Sequence, residues 1–357
     1  MRRSSGSHVF LLIFFRFLPL MHGVPLAPAL YVFGDSLLDS GNNNLLPTLA
    51  KADFPPYGRD FAKGSTGRFT NGRTVADFIA EFLGLPYSPP FLSIRNSALT
   101  GLNYASGSCG ILPETGSSLG KCLNLGEQIS LFQLTIASDL KKHFDSSSKL
   151  SEYLSKSIFL FSVGSNDYLN IYSGNSIFNS SKRNTPQQIA TLLWDKLSAH
   201  FETLYNLGAR KIVMFEIGPI GCTPAVAKTH QKTGPCLDEA NQLVSYFNNM
   251  LPAMLGNLTF TLRGSTFVLA RCNWLGNDAV MNPSKYGLED TSNACCVTWQ
   301  NGTSACIPWV APCLNSNKNY FWDGYHPTEV VYSDIASRCI KDNTVCVPLN
   351  LQQLVQM

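Results

Sequence analysis

The chain has 357 residues, 45% of them hydrophobic and only 14% charged, a balance that excludes a disordered protein. The net charge is +3 and no Lys/Arg run follows the N-terminus, which argues against a nucleic-acid partner. Eleven cysteines are too few for a fold held by disulfides alone and many for a reducing cytosol, and the odd count leaves at least one thiol unpaired unless it bonds another chain.

Arg2 and Arg3 precede an apolar run of 13 residues, 9–21, interrupted by Arg16, and small residues follow at Gly23, Ala27 and Ala29. This predicts a secretory signal peptide over residues 1–23, too short to span a bilayer, and one mature domain over 24–357. Cleavage after Ala29 would also suit the tripeptide Ala27-Pro28-Ala29, but it would cut at the edge of the next element. That element is a predicted strand over 30–33, closed by Gly34-Asp35-Ser36-Leu37 and continuing Leu38-Asp39-Ser40-Gly41-Asn42-Asn43-Asn44. A serine at a strand–turn junction presents its hydroxyl at the carboxyl edge of a sheet, where a backbone N–H holds an anion, the more so if a helix starts there. Thr74 opens a helix with Val75, Phe78, Ile79 and Phe82 at i, i+3, i+4, i+7. Asn103-Tyr104-Ala105-Ser106-Gly107 supplies a glycine whose N–H approaches a ligand closely, because no Cβ intervenes.

Gly116-Ser117-Ser118-Leu119-Gly120 fits the G-x-S-x-G nucleophile elbow, but Pro113 upstream speaks against the strand which that motif requires. Residues 145–149 and 173–184 read as surface loops. A second strand over 158–163 leads into Gly164-Ser165-Asn166-Asp167, which puts an amide side chain at the same sheet edge. Thr185, Pro186 and Gln188 form a complete helix entry, with Ile189, Leu193, Leu197 and Leu204 on one face and Gly208 as the stop. Strands at 211–215 and 266–270 flank a helix carrying Leu243, Phe247, Met250 and Met254 on one side. Continuous apolar strands alternating with helices predict an α/β sandwich with a mostly parallel sheet, whose ligands bind beyond the carboxyl ends of the strands. Near the C-terminus Asp323-Gly324-Tyr325-His326-Pro327 places a carboxylate one turn from an imidazole. Pro327 keeps His326 extended and is suited to begin the next helix. No metal-binding or P-loop pattern occurs, and His143, His200 and His230 lie in no carboxylate-bearing motif.

These four blocks together resemble the plant-type GDSL esterase/lipase family of the SGNH hydrolase superfamily, over nearly the whole mature chain. Gly34–Leu37, Asn103–Gly107, Gly164–Asp167 and Asp323–His326 match its blocks in order. Further stretches that look like the family are Gly67-Arg68-Phe69-Thr70-Asn71-Gly72-Arg73, Asn282-Pro283-Ser284-Lys285-Tyr286-Gly287 and Phe321-Trp322-Asp323. Ser108-Cys109-Gly110 and Cys272 are less typical. The resemblance implies a three-layer α/β/α sandwich with a flavodoxin-like central sheet. It also implies Ser36 as nucleophile, His326 as general base and Asp323 as the residue that orients it. The oxyanion would be held by the N–H groups of Ser36 and Gly107 and the side chain of Asn166. No cofactor is called for. The substrate would be a lipid or other acyl ester, hydrolysed through an acyl-enzyme. The alternatives are transfer of the acyl group to an alcohol, a carbohydrate acetyl-esterase, and a secreted binding glycoprotein without activity.

Secretion is consistent with three glycosylation acceptors, Asn179, Asn257 and Asn301. The expected disulfides are Cys109–Cys122, Cys222–Cys236, Cys295–Cys306, Cys296–Cys313 and Cys339–Cys346, with Cys272 unpaired, although sequence alone leaves connectivity open.

Overall fold

A computed structural model of the chain describes residues 23–93, 98–172, 185–230 and 234–357. The predicted signal peptide, but for Gly23, and the predicted loop 173–184 with Asn179 lie outside the described residues. Four strands, β1 (Leu30–Gly34), β2 (Ile158–Ser162), β3 (Lys211–Phe215) and β4 (Thr266–Ala270), lie side by side in parallel. A separate two-stranded ladder joins β5 (Asp290–Ala294) to β6 (Asn319–Phe321), and β7 (Cys346–Val347) closes the β4 edge antiparallel. The helices are α1 (Val75–Leu83), α2 (Leu125–Ser138), α3 (Ser147–Lys156), α4 (Ser165–Tyr172), α5 (Pro186–Asn206), α6 (Pro224–Ala227) and α7 (Asp238–Thr261). They continue with α8 (Cys272–Met281), the kinked turn α9 (Trp299–Gly302), α10 (Glu329–Lys341) and α11 (Leu351–Leu354).

The strands are buried on both faces, as their unbroken apolar character requires. Tyr31, Phe33, Phe159, Phe161, Ile212 and Met214 point to one side, where α2, α5 and α7 bring Phe132, Phe201 and Phe247. Phe33 stacks between Phe161 and Tyr104, at centroid distances of 4.8 and 5.0 Å. Truncating such a ring costs about 3–5 kcal/mol. Leu30, Val32, Leu160, Val213 and Val268 point to the other side, onto α1, α10 and α11 through Ile79, Tyr332 and Leu351. The result is the three-layer sandwich.

The segment around Asn103 completes the sheet's logic. It runs parallel to β1 on its free edge, with Val32 N–H to Leu102 C=O at 3.0 Å and Tyr104 N–H to Val32 C=O at 2.7 Å. Counted as the second strand of the chain, it gives a flavodoxin-like order, in which the winding direction reverses next to β1. Such a reversal opens a crevice at the carboxyl edge.

The helix starts follow their entry signals. Thr74 with Asp77, and Thr185 with Gln188, close capping boxes on α1 and α5. Three local expectations differ. Residues 145–149 are not wholly loop, because Ser146 caps α3 from Ser147 onward. The buried stripe of α7 is Val244, Phe247, Leu251, Leu255 and Leu258, so Leu243, Met250 and Met254 flank the core instead of forming its centre. Pro327 does not start α10: Thr328 is the N-cap, and Pro327 bridges back to Phe321.

Candidate active site

β1 ends at Gly34, where a Cβ would lie 2.1 Å from the Ser162 carbonyl oxygen at a φ of 150°, so only glycine lets the strand turn this close to β2. The buried side chain of Gln128 is zipped onto the same residue, accepting its N–H at 2.9 Å and donating to its C=O at 2.8 Å. Ser36 follows in a single turn, closed by the Asp39 N–H on the Asp35 carbonyl at 3.0 Å, and no helix begins there. Asp35 turns inward. Its Oδ1 accepts the Leu37 N–H at 3.0 Å, its Oδ2 has no partner, and burial lifts the carboxyl to about 7.

The other half of the site comes from the segment after β6. Asp323 is fully buried, and its Oδ1 accepts the backbone N–H groups of Tyr325 and His326, both at 2.8 Å. These bonds wrap residues 323–326 around the carboxylate, and the Trp322 N–H closes the loop on the His326 carbonyl at 2.7 Å. The imidazole is thereby aimed. Its Nδ1 lies 2.9 and 2.8 Å from the two Asp323 oxygens, and its Nε2 lies 2.8 Å from Ser36 Oγ, across 290 positions of sequence. The Phe69 ring covers the imidazole at a centroid distance of 5.2 Å. Serine, histidine and aspartate thus form one hydrogen-bonded chain with the geometry of nucleophile, base and orienting acid.

A family profile described as GDSL-like Lipase/Acylhydrolase matches residues 30–339 of the sequence. GDSL esterase/lipase 7 of Arabidopsis thaliana is 44% identical over 340 residues, covering 93% of each chain. Two further Arabidopsis thaliana GDSL esterase/lipases are each 38% identical, covering 92% and 94% of this chain and 88% and 87% of theirs.

The chain belongs to the GDSL lipase/acylhydrolase family.

It is accordingly a carboxylic ester hydrolase, and its GDSL serine is Ser36. The donors around that serine depart from the sequence reading at one point. The Gly107 N–H is already given to Asp39 Oδ2 at 3.0 Å, so it does not face a ligand. What makes residue 107 glycine is space: a Cβ there would meet the Phe69 ring at 2.7 Å. The next N–H, on Ser108, has no acceptor among the described residues, and Ser108 lines the cavity with φ at 68°. The Ser36 N–H is likewise unengaged. Asn166, on the first turn of α4, gives one amide hydrogen to the Cys109 carbonyl at 2.9 Å and has a second to spare.

A cavity of about 980 Å³ opens above this GDSL serine, lined by Leu49, Phe54, Leu119, Leu169, Ile220 and Val226 together with Ser36, Asp323 and His326. Its size lies at the upper end for small-molecule sites. Ser118 of the G-x-S-x-G stretch lies at the rim in a short 3-10 turn with no strand before it, so it is no nucleophile elbow. His200 is half-buried on α5, its imidazole pulled below its usual value by burial and by Lys196, and it lies away from the cavity.

Sequence reasoning missed Tyr57. Its hydroxyl donates to Asp323 Oδ2 at 2.7 Å and accepts the Cys306 N–H at 3.2 Å, which braces the carboxylate from behind. Proximity to Asp323 adds to burial in pushing the phenol well above its ordinary value, so it stays a donor. Two prolines and a glycine surround Tyr57 in Pro55-Pro56-Tyr57-Gly58, a composition that marks a turn and says nothing of the hydroxyl's partner. The disulfides need one correction. The pairs are Cys295–Cys313 and Cys296–Cys306, nested where the sequence reading crossed them. Residues 297–307 fold back as a hairpin, with Ile307 N–H on Val297 C=O at 2.8 Å, which sets Cys306 against Cys296 and returns Cys313 to Cys295. Cys109–Cys122, Cys222–Cys236 and Cys339–Cys346 pair as expected, and Cys272 is free. Among the described residues no helix is long and apolar enough to cross a membrane.

Proposed function

We propose that this chain is a secreted serine esterase of one mature catalytic domain, residues 24–357, cleaving esters of lipids or other apolar acyl groups through an acyl-enzyme on Ser36. His326 Nε2 takes the Ser36 proton as Oγ attacks the ester carbonyl, and then returns it to the departing alcohol. Water enters the same place, is deprotonated by the same nitrogen, and releases the acid. Asp323 fixes the tautomer with Nδ1 protonated and stabilises the imidazolium. The oxyanion lies among the Ser36 N–H, the Ser108 N–H and the spare hydrogen of Asn166, with Ser108 taking the place first given to Gly107.

The observation that carries this reading is the position of one ring, with Nε2 at 2.8 Å from the serine oxygen and Nδ1 at 2.8 Å from a fully buried carboxylate. The apolar walls of the cavity support an acyl chain as its occupant. Five disulfides and the solvent-exposed acceptors Asn257 and Asn301 support secretion. The test is pre-steady-state hydrolysis of a p-nitrophenyl ester. Wild type is expected to release p-nitrophenol in a burst that acyl-enzyme accumulation explains, and Ser36→Ala is expected to lose turnover by several orders of magnitude. Full activity in Ser36→Ala overturns the mechanism.

A further inference from the structure

We propose that Asp39 and Asp167 are positioning residues that suspend the loop 107–112 by its two ends and thereby aim the Ser108 N–H, an inference that rests on the acyl-enzyme reading above. At the first end, Asp39 Oδ1 accepts the Gly41 and Asn42 N–H groups, both at 2.7 Å. Its Oδ2 accepts the N–H of Gly107 at 3.0 Å and of Asn43 at 3.3 Å. One carboxylate therefore ties the turn that follows Ser36 to the loop that faces it. The Asn43 side chain, brought in by the same turn, donates to the Gly107 carbonyl at 3.0 Å and accepts the Ser106 hydroxyl at 2.6 Å. The Gly107 carbonyl and the Ser108 N–H belong to one planar peptide unit. Holding the oxygen on one side fixes the direction of the hydrogen on the other.

At the second end, Asp167 Oδ2 accepts the Ile111 N–H at 2.9 Å, and Oδ1 accepts the Leu112 N–H at 3.1 Å and the Thr115 hydroxyl at 2.7 Å. Gly110 packs directly under this carboxylate, where a Cβ would come within 2.4 Å of Oδ2. Asp167 follows Asn166 on α4, so the residue that offers the side-chain donor is joined to the anchor of the backbone donor. Between the anchors Ser108 holds a φ of 68°, a left-handed conformation that costs a serine backbone strain. A strained residue with an unengaged N–H stays so only if its surroundings over-determine it, and these two carboxylates supply that determination. Both are buried, and neither is hydrogen-bonded to Ser36 or His326. Their effect on catalysis runs through the loop.

The experiment compares Asp39→Asn, Asp167→Asn and Thr115→Val with wild type in p-nitrophenyl ester turnover and in affinity for an alkyl trifluoromethyl ketone, whose adduct carries the oxyanion. An amide offers one accepting oxygen where the carboxylate used two, so each loop end loses a tie. The two Asn variants are expected to lose about 10- to 100-fold in kcat with KM within about threefold, and to lose ketone affinity by the same factor. Thr115→Val removes one hydroxyl from the Asp167 end and is expected to lose a few-fold in both quantities. If the Asn variants do not fold, Thr115→Val decides. Folded variants with kcat within about twofold of wild type, or lower kcat with unchanged ketone affinity, overturn the proposal. Ser36→Ala separates the two levels. If it remains active, the acyl-enzyme reading fails. If it is dead while the loop variants match wild type, only the positioning role fails.

Discussion

Replacing Asp323 by asparagine changes the shape of the site by almost nothing and its proton logic completely. Asp323 Oδ1 is committed to two backbone N–H groups at 2.8 Å, so an asparagine would keep its carbonyl oxygen there. Its NH₂ would then stand where Oδ2 stands, 2.8 Å from His326 Nδ1 and 2.7 Å from the Tyr57 hydroxyl, and neither donor would find an acceptor. The imidazole would escape by moving its proton to Nε2, which faces Ser36 Oγ at 2.8 Å. A protonated Nε2 donates to the serine and does not take its proton. The wrong tautomer costs about 10⁴ in kcat, which is about 5 kcal/mol of transition-state stabilisation. The assay is kcat on a p-nitrophenyl ester at pH 8, with circular dichroism and thermal melting to establish that the variant is folded. A loss smaller than about tenfold in a folded variant would refute the tautomer argument.

Tyr57→Phe leaves the triad intact but removes one donor from the carboxylate and orphans the buried Cys306 N–H. It is expected to cost about 1–3 kcal/mol of stability by thermal or denaturant unfolding, and to lower kcat far less than Asp323→Asn does. Asp35, Asp39 and Asp167 have carboxyls lifted by burial to about 7, 6 and 6, so the folded chain binds these protons more tightly than the unfolded chain. Their contribution to stability is therefore largest below about pH 4 and declines as pH rises through 6 to 7, and Asp35→Asn should flatten that slope in melts taken across the range. An unchanged slope would remove Asp35 from the account. Peptide mapping of unreduced protein should recover Cys295–Cys313 and Cys296–Cys306, with Cys272 alone open to alkylation after unfolding. With a primary alcohol in excess, product analysis should show acid release outpacing ester formation, and the reverse would make the chain an acyltransferase.

What the sequence revealed was what short segments encode. Unbroken apolar runs require burial on both faces, so the four parallel strands were legible. The Asp323–His326 spacing is one turn, so that contact was legible too. Ser36 meeting His326 rested on family resemblance, since nothing local joins residues 290 positions apart. The misreadings share one cause. The family resemblance implies Gly107 as an oxyanion donor, and its missing Cβ lets a ligand come close, but what occupies its N–H is a carboxylate that folding brings from Asp39. Tyr57 is 266 positions from Asp323, and a phenol in a proline-rich turn carries no sign of its partner. The crossed disulfides likewise followed spacing, whereas the nested pairs follow a hairpin. Local pattern fixes elements and their caps, and it is silent on which buried polar atom answers which.

Acyl transfer through Ser36 requires that this serine, and no other, be the nucleophile. Mass spectrometry of the protein after reaction with a fluorophosphonate is predicted to find one adduct per chain, on the peptide containing Ser36, lost in Ser36→Ala and slowed in Asp323→Asn. An adduct on Ser118 or another serine, or no adduct on protein that hydrolyses esters, would contradict it.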